Sequence, residues 1–560
     1  MFINKLFNSN LTGEFFDLGW GSIPGSDRCS SPKAGRANSP EILPHPLARF
    51  EHCWRRLFVS WPASLPRKGL LSEQARTQKV LKRIPGINLK KSWIAILILC
   101  LSYWTYLFFT TQMAVQFDAA DYVGIAQIIH DKGWVEFFKT GPHREPLYPL
   151  LISWSMDVGS LLGISYQWVQ KIFQIGILLF TQLSVLLVLT KFRVREWIRL
   201  AVTAYIGFSP AIVNSTFSLF GEIMTYPFVM GILWLSFVSW RCLWQTDFKK
   251  IIVCAVLTAL SFVLATYAKG VFQYVFLLYL IVLMAAGVWA ARSGRGKILR
   301  NALIYAAVAF MVLNSCLAPF KWANKKYNGY YDLTNRFSDL LFGNAVKRTN
   351  PLSARMIAAH VADVPGGGVC RLFFSEEECY YCEFQKADFY RGVELFELRR
   401  NISKELETSK TISWAMEKVW RRPWQYVLLT FIETWRMAFW ESTQLGNVGY
   451  PPGLQKIFEF VLFKNGLRLI MSLLTYAAIF YLFRFVWRSR SRLNDIVSFE
   501  AERVQVGFWL LFMIVAYTGL HSLFSIVTRY ALPISFLYLL SIALVLDERI
   551  NSKNIKTVRT

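Results

Sequence analysis

The sequence contains few acidic residues and few histidines: 36 Asp and Glu stand against 62 Lys and Arg, and 6 histidines occur among 560 residues. Charged residues of both signs make up only 18% of the chain, whereas 54% of it is hydrophobic. Soluble globular chains average about 25% charged residues. The shortage of charge, together with a mean hydropathy of +0.33, therefore predicts a membrane protein.

The net charge of +26 is compatible with nucleic-acid binding if it is considered alone. Basic residues that lie between long apolar runs, however, are typical of the positive-inside bias of membrane proteins. We therefore expect a lipid bilayer as a partner of this chain and no nucleic acid.

Cysteines are also scarce, since nine in 560 residues are too few for a disulfide framework. Only Cys370, Cys379 and Cys382 lie close together, in the stretch CRLFFSEEECYYC. If this stretch is extracytoplasmic, one disulfide bond is expected, from Cys370 to either Cys379 or Cys382. Zinc binding by Cys379 and Cys382 is the alternative, but the sequence offers no second ligand pair.

A glycine-rich phosphate loop behind a strand is missing as well. The run Gly366-Gly367-Gly368 lies in a polar region, and no helical pattern follows it. The sequence therefore predicts no soluble nucleotide-sugar domain.

Long apolar runs, in contrast, are abundant, and a spanning helix needs roughly 20 such residues. Ten segments qualify: 93–111, 168–190, 197–216, 220–240, 250–268, 271–290, 301–319, 466–486, 506–526 and 530–546. If the N-terminus is cytosolic, the basic loops near Lys191, Lys249, Arg292 and Arg488 all fall in the cytosol, as the positive-inside rule requires. Both termini are then cytosolic.

This alternation divides the chain into regions. We expect a flexible basic cytosolic tail over 1–92 without a cleavable signal peptide, a transmembrane module over 93–319, an extracytoplasmic region over 320–465, C-terminal transmembrane helices over 466–546 and a cytosolic tail over 547–560.

Two further apolar stretches lie on the outer side of the predicted membrane. One is PLYPLLISWSMDVGSLLGI in the outer loop 112–167, and the other is WQYVLLTFIETWRMAFW in the region 320–465. Both are predicted to be helices along the membrane surface. A membrane span is the alternative for the first, but it would place the basic residues from Lys191 to Arg199 outside.

Two carboxylates begin the first outer loop. If this segment is helical, Asp118, Asp121 and Tyr122 share one face, because they are spaced at i, i+3 and i+4. A solvated helix start with acidic residues is the alternative.

The predicted topology puts more polar residues at the same outer boundary: Glu222, Lys269, His521, Arg529 and Tyr530. Each alone could be a snorkelling residue, but their common side indicates a polar cleft.

The order of these residues resembles a known family. Asp118 and Tyr122 in an Asp-x-x-x-Tyr pattern, the run from Arg144 to Pro149, the pair Gly221-Glu222 and the run from Arg529 to Pro533 are similar to the membrane glycosyltransferases of the GT-C fold. The nearest likeness is to bacterial relatives of the protein O-mannosyltransferases and aminoarabinose transferases. Many of these have an adjacent acidic pair, whereas Ala119 and Ala120 separate Asp118 from Asp121 here.

The resemblance implies an all-α polytopic enzyme of the bacterial inner membrane, with its active site facing the periplasm. Such an enzyme moves a sugar, with inversion, from a polyprenyl phosphate to a glycan, lipid or protein acceptor. Asp118 is then the general base, with Asp121 as a second carboxylate. Lys269, Arg529 and Arg144 are the expected phosphate ligands, and the other substrate-binding residues are Tyr122, His143, Glu145, Glu222 and Tyr530.

Two questions stay open at the level of sequence. Asp118, Asp121 and Glu222 could bind a divalent cation, although carboxylates at an outer surface are more often without metal. A transporter or flippase of lipid-linked glycans, or a polymerase of them, would have a similar arrangement of spans. A transporter is expected to have internal repeats and polar groups near the bilayer midplane, which we do not find in the sequence.

Overall fold

Apolar runs of this chain fold into helices because lipid offers the backbone no hydrogen-bond partner, and a helix satisfies its N–H and C=O groups internally. The computed structural model describes residues 89–142, 144–245, 247–441, 447–495, 498–524 and 526–559. Within these ranges the regular structure is almost entirely helical. The predicted N-terminal tail lies outside the described residues up to residue 88.

The first part of the described chain contains most of the long helices. It comprises α1 (Leu89–Thr110), β1 (Gln112–Met113), α2 (Asp118–Lys139), α3 (Leu147–Leu162), α4 (Tyr166–Lys191), α5 (Glu196–Phe208), α6 (Pro210–Phe217), α7 (Glu222–Gln245), α8 (Phe248–Ala268), α9 (Phe272–Arg292) and α10 (Gly296–Asn328). The 16 residues of α3 are fewer than the roughly 20 that a membrane span requires.

The middle part is built from shorter helices: α11 (Arg336–Thr349), α12 (Ala354–Asp363), α13 (Gly367–Cys370), α14 (Glu376–Cys382), α15 (Phe384–Gly392), α16 (Glu394–Arg399), α17 (Lys404–Arg421) and α18 (Pro423–Thr434), with a 3-10 turn at Trp435–Ala438, then β2 (Val448–Gly449) and α19 (Pro452–Glu459). β2 pairs antiparallel with β1, so that Val448 lies opposite Met113. This pairing holds the end of the middle part beside the chain that leads to Asp118.

The last part returns to long helices: α20 (Val461–Arg488), a 3-10 turn at Arg490–Asn494, α21 (Phe499–Phe524), a 3-10 turn at Thr528–Ile534 and α22 (Ser535–Arg559). Among the described residues, nine helices are long and apolar enough to cross a membrane, and the bent pair α5–α6 gives a tenth if it counts as one span. These ten overlap the ten predicted segments. The prediction of an all-α, multi-spanning membrane protein is confirmed.

The third span is broken between α5 and α6, which differ in direction by 44°. Ser209 begins α6, because its hydroxyl accepts a hydrogen bond from the backbone N–H of Ile212, and Pro210 follows in the first turn. Glu441 fixes the break: its carboxylate accepts from the Tyr205 hydroxyl at 2.7 Å and from the Ala211 backbone N–H at 3.0 Å. The apolar run over 197–216 predicts one uninterrupted span, so the break differs from the prediction.

The ends of the bundle differ in chemistry. At one end Asp547 accepts hydrogen bonds from the backbone N–H of Arg195 at 3.0 Å and from the Arg503 guanidinium at 2.7 Å. The basic loops that we predict to be cytosolic also lie at this end, each directly after a span. Asp118 and the start of α7 lie at the opposite end, which we call the Asp118 end.

The amphipathic helix α18 is built around a buried ion cluster. Glu433 accepts hydrogen bonds from Lys347 at 2.7 Å and from the Arg348 guanidinium at 2.6 and 3.1 Å. Burial opposes ionisation, but the Arg348 and Lys347 charges hold the pKa of Glu433 well below its ordinary value. The opposite face of α18 exposes Trp424 and Phe431. An exposed apolar face with a buried charge supports the prediction of a helix at the membrane surface.

Cys370 and Cys379 form the disulfide bond, which is one of the two pairings that the sequence left open. Cys382 keeps a free, buried thiol, and its Sγ lies 3.1 Å from Nδ1 of His360. The bond connects α13 to α14 and therefore stabilises the short helices of the middle part.

Loss of the Glu433 charge should destabilise the middle part. Glu433→Gln leaves two buried cations without their counter-ion, and we expect a loss of about 3–5 kcal/mol. The control is Glu417→Gln, since Glu417 pairs with Arg421 at the surface, where about 0–1 kcal/mol is expected. Thermal unfolding of the detergent-solubilised protein at neutral pH measures both. Equal melting temperatures for the two variants would contradict the role of Glu433 as the buried counter-ion of Lys347 and Arg348.

Candidate functional site

Charged side chains from five separate segments meet at the Asp118 end of the bundle. They are Asp118 and Asp121 in the first turn of α2, Arg144 and Glu145 before α3, Glu222 at the start of α7, Lys269 directly after α8, and Arg529 in the 3-10 turn before α22. Each lies at or next to the end of a helix. A helix end is where the chain leaves the apolar layer, so a charged side chain costs less free energy there than at mid-span.

Asp118 connects three of these segments. Its Oδ1 accepts a hydrogen bond from Arg144 at 2.5 Å, and its Oδ2 accepts one from the Arg529 guanidinium. The same Arg144 nitrogen lies 2.7 Å from Oδ2 of Asp121. The side chain of Arg144 is 6% exposed, whereas those of Asp118 and Asp121 are 20% and 42% exposed. Asp118 is therefore both held in place and open to a ligand.

Arg144 and Tyr122 form the buried support of the two carboxylates. Burial alone would lower the pKa of the Arg144 guanidinium, but the hydrogen bond to the Asp121 carboxylate raises it above its ordinary value, and a guanidinium stays charged in proteins. The guanidinium lies 5.3 Å from the centre of the Tyr122 ring, which packs edge-on against Tyr148. Burial raises the pKa of Tyr122, and its phenol stays neutral.

A second ion cluster lies beside Asp118. The Lys269 ammonium is 3.4 Å from Oε1 of Glu222, and Nε of Arg529 is 3.8 Å from the same oxygen. Lys269 also lies over the ring of Tyr530, 4.4 Å from its centre. These side chains are 7–18% exposed, so that one carboxylate is shared by two cations in a largely dry environment. The arrangement offers positive charge to an anionic ligand.

Two glycines allow close approach at this point. A Cβ on Gly221 would lie 3.2 Å from the Tyr122 hydroxyl, and a Cβ on Gly270 would lie 3.3 Å from Oε1 of Glu145. Glu145 accepts the backbone N–H of Gly270 at 2.9 Å. The loop after α8 is thereby fixed to the loop before α3, and this contact positions Lys269.

Asp118 lies between two cavities. The inner cavity has a volume of about 120 Å³ and is lined by Lys269, Glu222 and Tyr274, among others; it has room for on the order of ten water molecules. The outer cavity, of about 590 Å³, extends to the middle part of the chain and includes Asp121 and Asp388 in its wall. Asp118, Arg144, Arg529 and Tyr530 line both cavities, as does one residue of the middle part, Arg336.

The structure brings most of the predicted site residues together. Nine of them line one or both cavities: Asp118, Asp121, Tyr122, Arg144, Glu145, Glu222, Lys269, Arg529 and Tyr530. His521, predicted at the same boundary, lines the inner cavity as well. His143 lies outside the described residues.

Residues of the middle part were missed. Arg336 and Phe337, at the start of α11, line the inner cavity. Phe337 packs against Tyr274 of α9 and Phe524 of α21, with ring centres 5.5 and 4.3 Å apart. No sequence pattern distinguishes these residues from their neighbours, because the contacts depend on how the middle part folds over the bundle.

Metal binding has no preformed site in the described part of the chain: no group of three or more His, Cys, Asp or Glu residues there is arranged to hold an ion. Asp118 and Asp121 are neutralised by guanidinium groups, and Glu222 by Lys269 and Arg529.

The buried pairing of Arg144 can be tested without any activity assay. Arg144→Met should destabilise the protein by about 3–5 kcal/mol, since it leaves partly buried carboxylates without their cation. In an Asp118→Asn background the same change should cost about 1–3 kcal/mol less. A double-mutant cycle on thermal stability measures this coupling. The control is a second cycle on the exposed pair Lys139 and Glu136. A coupling energy between Arg144 and Asp118 as small as that of the control would contradict the buried ion pair.

Comparison with known proteins adds no family assignment: the chain matches no protein-family model and no curated protein.

Proposed function

We propose that the chain is a membrane glycosyltransferase of the GT-C type, which transfers a sugar from a polyprenyl phosphate to an acceptor hydroxyl. The observation that carries the proposal is the position of Asp118 between two cavities, one bordered by Lys269 and Arg529 and one open to the middle part. A transfer reaction has two substrates that must meet at one atom. Two cavities that share a carboxylate meet this requirement.

The inner cavity contains the cations that a donor phosphate needs. Lys269 and Arg529 both contact Glu222 in the structure, and a lipid phosphate can replace this carboxylate as their anionic partner. The leaving phosphate gains negative charge as the glycosidic bond breaks, so fixed cations lower the barrier. Arg144, which is already bonded to Asp118 and Asp121, better fits the role of holding the carboxylates.

Asp118 fits the role of the base. The acceptor oxygen forms a bond to the anomeric carbon, the bond from that carbon to the phosphate oxygen breaks, and its electron pair goes to the phosphate. The acceptor proton passes to a carboxylate oxygen of Asp118. A carboxylate has about four lone-pair sites, and the two guanidinium groups leave room for one more hydrogen bond.

Donor binding and base activation are coupled in this scheme. Arg529 touches both Asp118 and Glu222, so the guanidinium is within reach of the inner cavity. When it turns to the donor phosphate, Oδ2 of Asp118 loses its cation and becomes a stronger base. Asp118 would then be a weak base until the donor is bound, so that it takes up little of the acceptor proton without the donor.

We further propose that the Asp118 end faces the periplasm of a bacterial inner membrane and that both termini are cytosolic. The positive-inside rule supports this orientation, because Arg195, directly before α5, and Arg503, near the start of α21, lie at the opposite end. A lipid-linked donor is consistent with a sequence that lacks a glycine-rich nucleotide loop. The acceptor can be a glycan, lipid or protein.

The base assignment predicts the effect of Asp118→Asn. The amide keeps the shape but cannot take a proton, so transfer should fall by about 10²–10⁴-fold while membrane insertion stays normal. The assay incubates purified protein with radiolabelled polyprenyl-phosphate sugars and a membrane extract as acceptor. Asp131→Asn, in an exposed position on the same helix, is the matched control. Near-normal transfer by Asp118→Asn would exclude the assignment.

The phosphate assignment predicts a selective defect. Lys269→Ala and Arg529→Ala should raise the apparent KM for the lipid-phosphate donor by about tenfold or more, because each removes a charge-assisted hydrogen bond. The KM for the acceptor should change much less in Lys269→Ala, because Lys269 lines the inner cavity alone, whereas Arg529 lines both cavities. Lys139→Ala, an exposed lysine at the end of α2, is the control, and parallel losses for both substrates would refute the assignment.

A further inference from the structure

Phe117 has an unusual backbone conformation. It lies directly before Asp118 with φ 51° and ψ −126°, a backbone region that glycine adopts readily and other residues rarely. Strain of this kind is frequent at ligand sites. The side chain is 81% exposed, so the ring is accessible to a ligand.

The ring of Phe117 belongs to the wall of the outer cavity, together with Phe384 of the middle part. The volume of about 590 Å³ falls within the range of small-molecule sites, roughly 300–1,000 Å³. Three aromatic rings, those of Phe117, Phe384 and Tyr530, and a set of polar side chains thus surround a space that begins at Asp118. An amphipathic ligand, with an apolar face and a polar edge, matches this lining.

The charges of the outer cavity are balanced. Its wall contains four aspartates and four arginines, and some of them pair directly, as Asp388 does with Arg391 at 2.8 Å. A polyanionic ligand would require an excess of cations, and a cationic one an excess of carboxylates. Paired charges instead offer donors and acceptors side by side, which suits a neutral ligand rich in hydroxyl groups.

We propose that the outer cavity binds the acceptor and that the acceptor is a neutral glycan, one sugar ring of which stacks on Phe117. The C–H face of that sugar covers the phenyl ring, and its hydroxyl groups bond to the charged wall. The stacking positions one hydroxyl beside Asp118, because Phe117 and Asp118 are consecutive. This inference rests on the proposed transfer reaction and specifies its second substrate.

A binding experiment tests the inference on the purified full chain in lipid nanodiscs. The probes are maltotriose, mannotriose and N-acetylchitotriose, measured by saturation-transfer difference NMR, with a serine- and threonine-rich nonapeptide as the competing acceptor class. Phe117→Leu keeps the apolar character but removes the flat ring, and Phe117→Trp keeps a flat ring. Phe373→Leu, at a phenylalanine that is 70% exposed and lines neither cavity, is the control.

We expect saturable binding of at least one trisaccharide. Phe117→Leu should weaken it about tenfold, while Phe117→Trp and Phe373→Leu should leave it within about threefold of the parent. The inference is overturned if no trisaccharide binds up to about 10 mM, if Phe117→Leu binds as well as the parent, or if the peptide binds and loses affinity in Phe117→Leu.

The outcome is separable from that of the proposed function, since binding of the probes requires neither donor nor turnover. A protein that binds trisaccharides through Phe117 but transfers no sugar would refute the enzyme proposal and leave the glycan site intact. A protein that transfers sugar with an unchanged acceptor KM in Phe117→Leu would refute the glycan site alone.

Discussion

The ion pairs of Asp118 with Arg144 and Arg529 join parts of the chain that lie far apart in sequence, since 411 residues separate Asp118 from Arg529. A carboxylate with both oxygens bonded to guanidinium groups can be buried at moderate cost, whereas any one of these three charges alone in an apolar environment would be strongly destabilising. The arrangement therefore forces the start of α2, the loop before α3 and the turn before α22 to meet. The cavities on both sides of Asp118 follow from that meeting.

The same pairing also explains how the site can respond to a ligand. Three cations of the inner cavity already have carboxylate partners: Lys269 and Arg529 contact Glu222, and Arg144 contacts Asp118. An anionic ligand that takes the place of Glu222 leaves this carboxylate without its cations. Glu222 then has to turn towards water or take up a proton as the ligand binds, because an unpaired buried charge is costly.

The middle part of the chain forms one wall of the outer cavity, and buried contacts hold it in position. Glu433 holds Lys347 and Arg348 of α11 against α18, and Phe337 packs on helices of the bundle. Removal of one partner from such a network leaves an uncompensated charge. A rigid α11 in turn fixes Arg336, which lines both cavities. The ion cluster around Glu433 is thus separate from the ion pairs of Asp118.

The sequence by itself determined the apolar segments that form the candidate spans and most of the charged residues that gather at the Asp118 end. Both depend on local properties: the length of an apolar run and the rarity of charges next to it. The interruption of α5 and α6 was missed, although Ser209 and Pro210 are a helix-start signal, because a long apolar run concealed it.

Tertiary structure alone decided which charges pair, which of two cysteines bonds to Cys370 and how the middle part closes the outer cavity. It also decided the strained backbone of Phe117, since contacts between distant segments, and not the order of residues, determine such a conformation.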